Sequence, residues 1–206
     1  MQVGSSWIET FTGRQFPFEL LSRYLAPHVH QLDIAVALSR EPRYGGHSLR
    51  TYRVAEHCVI LARHARKKGL DTETQFDLLI HDAAEAYLRD IPGPIKKKLD
   101  NYNYFEARIE QAVRIAFACD WFIQSDVIKT WDRRILVDER TQVMRKTAHK
   151  WSYIQGLDAL GVKIEFWSER RARVEWLREF YRFRPALKPR GWWWKQFMPL
   201  SLAAYH

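Results

Sequence analysis

The most constraining feature of this sequence is a predicted helix that is apolar on nearly every side and yet carries three ionisable groups. The helix opens at a capping box, Thr72–Gln75, and runs to about Leu88. Its apolar positions are Phe76, Leu78, Leu79, Ile80, Ala83, Ala84, Ala86 and Tyr87. A helix that is apolar all round is a buried one, and buried charges are costly unless they are paired or bound to a metal. We therefore expect His81, Asp82 and Glu85 to find partners in the interior.

The preceding helix supplies a candidate partner. The pattern predicts a helix over Val54–Lys67, with Gly69 as its C′ residue. His57 lies twelve residues before Gly69 and His81 lies twelve residues after it. In an antiparallel hairpin that turns at Gly69, both histidines lie at the same height on helices about 8 to 10 Å apart. Two imidazoles can bind one ion across that gap, so the spacing alone predicts a metal site.

A fourth ligand is expected from a helix predicted over residues 125–144, beginning at Ser125. Asp132 belongs to an apolar stripe formed by Ile128, Ile135 and Leu136. Asp138 instead has polar helical neighbours and is predicted to be solvated, so we choose Asp132 as the ligand. Glu139 is interpreted as a member of a structural ion pair. The predicted ligand set is therefore His57, His81, Asp82 and Asp132.

Each of these residues also has a purely structural interpretation. A lone histidine on an apolar face is usually a hydrogen-bonded core residue, Asp82 could cap a helix, and Asp132 could pair with Arg53 or Lys129. Four ligand-type groups in one symmetric arrangement are harder to explain in this way, so the pattern favours metal binding. Two histidines and two aspartates suit one divalent transition metal, which could be Zn, Mn, Co, Fe or Ni.

The rest of the chain indicates an all-α protein, a compact helical bundle in a single domain over residues 1–206. Further helices are predicted over residues 32–39, 104–119 and 168–183. Residues 1–30 are predicted to be irregular, residues 41–50 to form a loop, and DIPGPIKKKL to form a loop or broken turn, because glycines and prolines punctuate them. The segment GVKIEFW, residues 161–167, is the only candidate strand.

The composition limits the partners. The net charge of +9 favours anionic partners such as nucleotides, although it could also serve solubility alone. The basic aromatic tail from about residue 185 could stack on bases or rest at a membrane, but we favour packing or a subunit contact, and hence a homo-oligomer. No apolar run approaches the roughly 20 residues that span a bilayer. With no secretory signal at the N-terminus, we expect a cytoplasmic protein with no membrane partner; nucleic acid is an unlikely partner.

Beyond these inferences, the chain resembles the HD superfamily of metal-dependent phosphohydrolases. The string LLIHDAAEAYLRDIPGPIK is similar to the subgroup of bacterial 5′-deoxynucleotidases and phage deoxyadenosine triphosphate triphosphohydrolases. The upstream segments WIETFTGRQF and LDIAVALSREPRYGGHSLRTYRVAEH resemble the phage-type members, and the likeness covers about residues 7–145. The resemblance implies a bundle of the HD-domain type, in which the four predicted ligands match the metal ligands.

The resemblance also implies roles for residues around the metal. Glu85 matches the catalytic acidic residue that activates water or protonates the leaving group. Asp90 matches an aspartate at the sugar or at a second metal ion, and Arg43 matches an arginine that contacts phosphate. Tyr44 stands where the bacterial nucleotidases usually have tryptophan, and the insertion that ends in His47 departs from them.

Two more residues are candidates for binding a substrate phosphate. His47 could donate a hydrogen bond to it, or could be a loop histidine without a role. Lys96, with Lys97 and Lys98, could add positive potential, or could belong to a solvated basic turn.

The expected function is hydrolysis of deoxynucleotides, with monophosphate and triphosphate substrates both open. A related alternative is a phosphodiesterase or pyrophosphohydrolase that acts on a signalling nucleotide. A non-enzymatic alternative is a nucleic-acid-binding module with a degenerate metal site. The presence of both Glu85 and Asp90 beside a full ligand set argues against degeneracy.

Overall fold

The computed structural model of the chain describes residues 6–119 and 125–183. Its longer helices are α2 (Gln31–Arg40), α3 (Val54–Lys67), α4 (Thr72–Ile80), α7 (Tyr102–Ala116), α8 (Ser125–Gln142) and α9 (Glu169–Phe183). Single helical turns form α1 (Ser22–Leu25), α5 (Glu85–Leu88) and α6 (Gly93–Lys96), and 3₁₀ turns span Ala26–His28, Arg43–Gly46 and Ser152–Ile154. The predicted all-α bundle is confirmed. The tail from about residue 185 lies outside the described residues.

The N-terminal region is more ordered than predicted. Strands β1 (Trp7–Glu9) and β2 (Gln15–Pro17) form an antiparallel hairpin. The hairpin turns at Gly13, whose φ of 76° is readily adopted by glycine. Asp33 of α2 holds the turn by accepting bonds of 2.7 and 2.8 Å from the backbone N–H and hydroxyl of Thr12. The expectation of an irregular segment over residues 1–30 was therefore wrong for residues 7–28, and residues 1–5 lie outside the described structure.

Helices α3 and α4 form the predicted hairpin. Helix α3 has the predicted bounds, and Gly69 has a φ of 75°, the left-handed conformation expected after a helix end. The predicted capping box, Thr72–Gln75, was wrong because Asp71 caps the helix and accepts a 2.6 Å bond from the backbone N–H of Thr74. The side-chain amide of Gln75 donates instead to the carbonyl of Leu70, at 2.6 Å.

The central helix is shorter than predicted. Helix α4 ends at Ile80, four turn residues follow, and the helix restarts as α5. Nδ1 of His81 donates to the carbonyl of Leu78 at 3.0 Å, and the backbone N–H groups of residues 83, 85, 86 and 87 each bond to a carbonyl only three residues earlier. The expectation of one helix to Leu88 was therefore wrong, because a side chain enters the backbone hydrogen-bonding at His81.

The predicted strand over residues 161–167 is absent from the described structure. Two buried carboxylates bind the backbone of residues 160–167, which we call the strap. Asp138 accepts bonds from the N–H groups of residues 160, 161 and 162, and Glu56 accepts them from residues 165, 166 and 167. Asp138 is only 6% exposed, so its predicted solvation was also wrong. The strap does not pair as a strand because side chains take its N–H groups.

Helix α9 closes the bundle against α2, α3 and α4. The ring of Trp176 is fully buried, and its Nε1–H donates to the carbonyl of Leu79 at 3.3 Å. Packing on α9 therefore fixes the position of α4 just before the ionisable residues begin. Within residues 6–119 and 125–183, no helix is long and apolar enough to cross a membrane.

Candidate metal centre

Three elements bring two imidazoles and two carboxylates together. His57 projects from α3, His81 and Asp82 follow α4, and Asp132 projects from α8. The Nε2 atoms of His57 and His81 lie 3.4 Å apart. Oδ1 of Asp132 lies 3.1 Å from Nε2 of His57 and 3.7 Å from Nε2 of His81. The hairpin symmetry about Gly69 is thus confirmed, and Asp132, rather than Asp138, completes the cluster.

Asp82 lies close to both imidazoles. Its Oδ1 is 3.2 Å from Nε2 of His81, and its Oδ2 is 3.6 Å from Nε2 of His57. His57 is fully buried, whereas the Asp132 side chain is 36% exposed. The cluster is therefore reached from the side of α8.

The ligand-type atoms are close enough to hold one cation. Ligand atoms of His57, His81 and Asp132 all lie within 4.8 Å of one another, as do those of Cys58, His81 and Asp82. Nδ1 of each imidazole already has a partner outside the cluster, Glu139 Oε1 at 2.7 Å for His57 and Leu78 O for His81. Both Nε2 atoms thus face the carboxylates. Because these two nitrogens lie only 3.4 Å apart, both can be satisfied only if a proton or a cation lies between them.

The electrostatics show how strongly these groups interact. Burial alone would raise the pKa of Asp132, but hydrogen bonds with His57 and His81 hold that pKa well below its usual value. Burial lowers the pKa of His81, but the charge of Asp82 and the bond with Asp132 raise it well above normal. The cluster therefore stabilises positive charge, as a cation site must.

Arg43 lies beside the cluster, in the 3₁₀ turn Arg43–Gly46. Its Nη1 is 3.3 Å from Oδ2 of Asp82, and its Nε is 3.5 Å from Oε1 of Glu139. Only 8% of the residue is exposed. The sequence-predicted phosphate contact thus sits at the centre, but it lies against two carboxylates and not in the open cavity.

Glu85 and Asp90 lie close enough to Asp82 for their charges to interact. Oε2 of Glu85 is buried and has no hydrogen-bond partner among the described residues. Burial, with the nearby charges of Asp82 and Asp90, raises the pKa of Glu85 well above its usual value. Burial likewise raises the pKa of Asp90, although Arg43 opposes that shift. The carboxyl of Glu85 is thus favoured in its protonated form.

A cavity of about 450 Å³ opens on the cluster. Its lining residues include the ligand candidates His81, Asp82 and Asp132 and the cations Lys96, Arg114 and Lys129. Lys96 forms an ion pair with Glu106, and Arg114 forms one with Asp77 at 2.5 Å. The volume suits a small organic ligand. Asp77, Glu106 and Glu110 also line the cavity, so its side chains alone carry more negative than positive charge, and a bound cation would offset that excess.

Three of the four predicted substrate residues, Arg43, Tyr44 and His47, do not line this cavity. His47 is exposed and belongs to neither the cluster nor the cavity. Tyr44 donates its hydroxyl proton to Oε2 of Glu139 beneath the cluster. Tyr44 adopts a φ of 60°, which is unusual for a residue with a side chain, so the turn positions this hydroxyl at a conformational cost.

Glu139 is the residue that sequence reasoning understood least. It was expected in a structural ion pair, and it does lie beside Arg43, but its closest nitrogen partner is Nδ1 of His57. Glu139 follows Asp132 by seven residues, which is about two helical turns, so both project from the same side of α8. That periodicity is the signal that could have placed Glu139 near the metal site.

The fold and the cluster together define an all-α protein with a buried His–Asp group able to hold a metal ion. The chain is 31% identical over 154 residues to the Uncharacterized protein YfdR of Escherichia coli (strain K12), an alignment that covers 75% of this chain and 82% of YfdR. The chain therefore belongs to the same family as YfdR. No family model matches the chain.

Proposed function

We propose that the protein is a metal-dependent phosphohydrolase of the HD type that acts on deoxynucleotides. The observation that carries the proposal is the clustering of His57, His81, Asp82 and Asp132 beside a cavity that is lined by the last three of them and also by Lys96 and Lys129. The choice of substrate is supported by the likeness of LLIHDAAEAYLRDIPGPIK to deoxynucleotide hydrolases.

The four clustered side chains would hold the ion through imidazole nitrogen and carboxylate oxygen. A divalent metal in such a site lowers the pKa of bound water and polarises a phosphoryl oxygen. The donor set fits because both Nε2 atoms face the same point, as do carboxylate oxygens of Asp82 and Asp132.

Glu85 would move the proton. Its buried Oε2 has no partner among the described residues, which leaves a carboxyl group able to donate to a leaving oxygen or accept from an attacking water. Burial, together with the neighbouring carboxylates of Asp82 and Asp90, favours the protonated form, in which Glu85 acts as the acid.

The remaining residues would bind and orient the substrate. Lys96 and Lys129 face the cavity and would attract the phosphate group. Arg43, whose guanidinium lies beside Asp82, would help to neutralise the charge of the phosphate group. Asp90 would contact the sugar or, for a triphosphate, help to bind a second metal ion.

Product analysis across substrates tests the proposal. The full chain is loaded separately with Mn, Co, Zn, Fe or Ni and incubated with deoxy- and ribonucleoside mono- and triphosphates and with cyclic and pyrophosphorylated nucleotides, and the products are separated by chromatography. We expect release of phosphate or triphosphate from deoxynucleotides. Hydrolysis confined to cyclic or pyrophosphorylated nucleotides would instead support the alternative of an enzyme that acts on a signalling nucleotide. A metal-loaded chain that hydrolyses none of these substrates would refute an enzymatic role.

A further inference from the structure

The carboxylate of Glu139 lies beneath the metal centre and is fully buried. Its Oε1 accepts from Nδ1 of His57 at 2.7 Å and lies 3.5 Å from Nε of Arg43. Its Oε2 accepts from the hydroxyl of Tyr44. Both oxygens of Glu139 therefore already have hydrogen-bond partners.

We propose that Glu139 is a positioning residue that holds the His57 imidazole with Nε2 directed at the metal, while the hydroxyl of Tyr44 fixes the carboxylate in turn. The proposal rests on the metal centre of the proposed function. Glu139 itself is not a ligand, because a carboxylate that turned toward the ion would leave the buried imidazole and phenol without their acceptor.

The chemistry of imidazole makes this contact decisive. A histidine binds a metal through a ring nitrogen that carries no proton, so its single proton must be on the other nitrogen. An acceptor at Nδ1 keeps the proton there and leaves Nε2 free to bind. Because acceptors of this kind orient metal-binding histidines and increase their basicity, their loss commonly costs about 10- to 100-fold in metal affinity.

The two histidines of the centre use different acceptors for the same purpose. Nδ1 of His81 donates to the backbone carbonyl of Leu78, which is part of the break after α4. His57 belongs to the regular helix α3, where the backbone carbonyls already accept helical hydrogen bonds. A side chain from another helix must therefore supply the acceptor for its Nδ1. The charge of Glu139 makes that bond the stronger one.

Neutralisation of Arg43 is the competing explanation for Glu139, and a matched pair of variants separates the two. Glu139→Gln preserves shape but removes the charged acceptor. Glu56→Gln is the control, because Glu56 is equally buried and adjoins His57 in sequence but binds only strap N–H groups. Zinc affinity is measured by chelator competition, and histidine ring nitrogens are followed by ¹⁵N NMR with and without zinc.

We expect the wild-type protein to show a far-downfield proton on Nδ1 of His57, assigned by its absence from His57→Gln, both without metal and with zinc. Glu139→Gln should move that resonance upfield and weaken zinc binding by about 10- to 100-fold, whereas Glu56→Gln should change neither. Tyr44→Phe should produce a smaller weakening in the same direction.

Several results would overturn the positioning role. One is a zinc-loaded wild-type protein without a proton on Nδ1 of His57, a measurement that requires no variant at position 139 to fold. Another is zinc binding by Glu139→Gln as tight as that by Glu56→Gln, which would refute the role of Glu139 and leave the metal centre standing. A wild-type chain that binds no divalent metal would instead refute the metal centre itself.

Discussion

Two buried regions of this protein use carboxylates in opposite ways. At the strap, Asp138 and Glu56 each accept three backbone N–H bonds, so every bond is made within the chain. At the metal centre, Asp132 and Asp82 face the same two imidazoles, whose Nε2 atoms lie 3.4 Å apart. The hydrogen bonds of the strap are all made within the chain, whereas the metal centre gathers several hydrogen-bond acceptors around one point.

The difference teaches how buried acids can be sorted by their partners. Backbone N–H groups always carry a proton, so a carboxylate that binds them gains stability and has nothing left to offer a ligand. An imidazole nitrogen can lose its proton to water and bind a metal ion in its place, so carboxylates that face such nitrogens are arranged to exchange a proton for a metal. Since Asp132 and Asp138 lie on the same helix, the two kinds of acid can be compared directly by substitution.

The largest effect is expected from Asp132→Asn. Loss of a ligand should weaken metal binding by more than the roughly 10- to 100-fold that loss of an outer hydrogen bond costs. Metal ions should accordingly raise the Tm of the wild-type protein and not that of the variant. Metal content after dialysis and Tm with and without added zinc are the measurements, and an unchanged affinity would remove Asp132 from the site.

The second effect is on turnover, with the ion still in place. Glu85→Gln keeps the size of the side chain and should lower kcat by about 10²- to 10⁴-fold, because an acid–base group is lost. Metal content and Tm should match those of the wild type, since Glu85 is three residues beyond Asp82 and is not in the ligand set. Undiminished turnover by the metal-loaded variant would show that the proton moves elsewhere.

The third effect is on stability alone. Asp138→Asn replaces a charged acceptor of three backbone bonds and should cost on the order of 3 kcal/mol in the free energy of unfolding. Zinc affinity of the folded variant should remain that of the wild type. Denaturant unfolding checks the first expectation, with Asp126→Asn, an exposed site on the same helix, as control. A large loss of metal affinity would mean that the strap and the centre are coupled.

The parts of the site that sequence could predict are those set by local periodicity. The bounds of α3 and the turn at Gly69 follow from helix patterns, and together they place His57 opposite His81. Asp132 was chosen because a carboxylate in an apolar stripe needs a partner. Each of these inferences uses residues within a few turns of one another, where helical geometry fixes relative positions.

The parts that could not be predicted depend on contacts between distant segments. Asp138 appeared solvated because its helical neighbours are polar, but its partners lie in the strap, more than twenty residues away. The break after Ile80 depends on the His81 side chain bonding to Leu78 O, which a pattern of apolar residues does not reveal. Glu139 could be placed near Asp132 by periodicity, but its bond to His57 required the packing of α8 against α3.

The smallest effect is expected from Asp90→Asn, at the rim of the centre. Asp90 lies close enough to Arg43 and Asp82 for their charges to act on it, and its backbone N–H lies 3.4 Å from Oε1 of Glu41. A carboxylate held there can accept a hydrogen bond from a 3′-hydroxyl and disfavour a 2′-hydroxyl. Loss of one such contact is worth about 0.5 to 1.5 kcal/mol, so the preference for deoxyribose in kcat/KM should fall by roughly tenfold or less.

Paired assays of deoxy- and ribonucleotides measure this ratio, and Asp100→Asn, an exposed acid in the turn before α7, is the control. If Asp90→Asn keeps the preference but loses a second equivalent of bound metal, Asp90 is a ligand and the sugar role fails. That result would also extend the comparison, because Asp90 would then join Asp82 and Asp132 as an acid arranged for exchange. If Asp90→Asn keeps both the preference for deoxyribose and the second equivalent of metal, Asp90 belongs with Asp138 among the acids whose partners are groups of the chain itself.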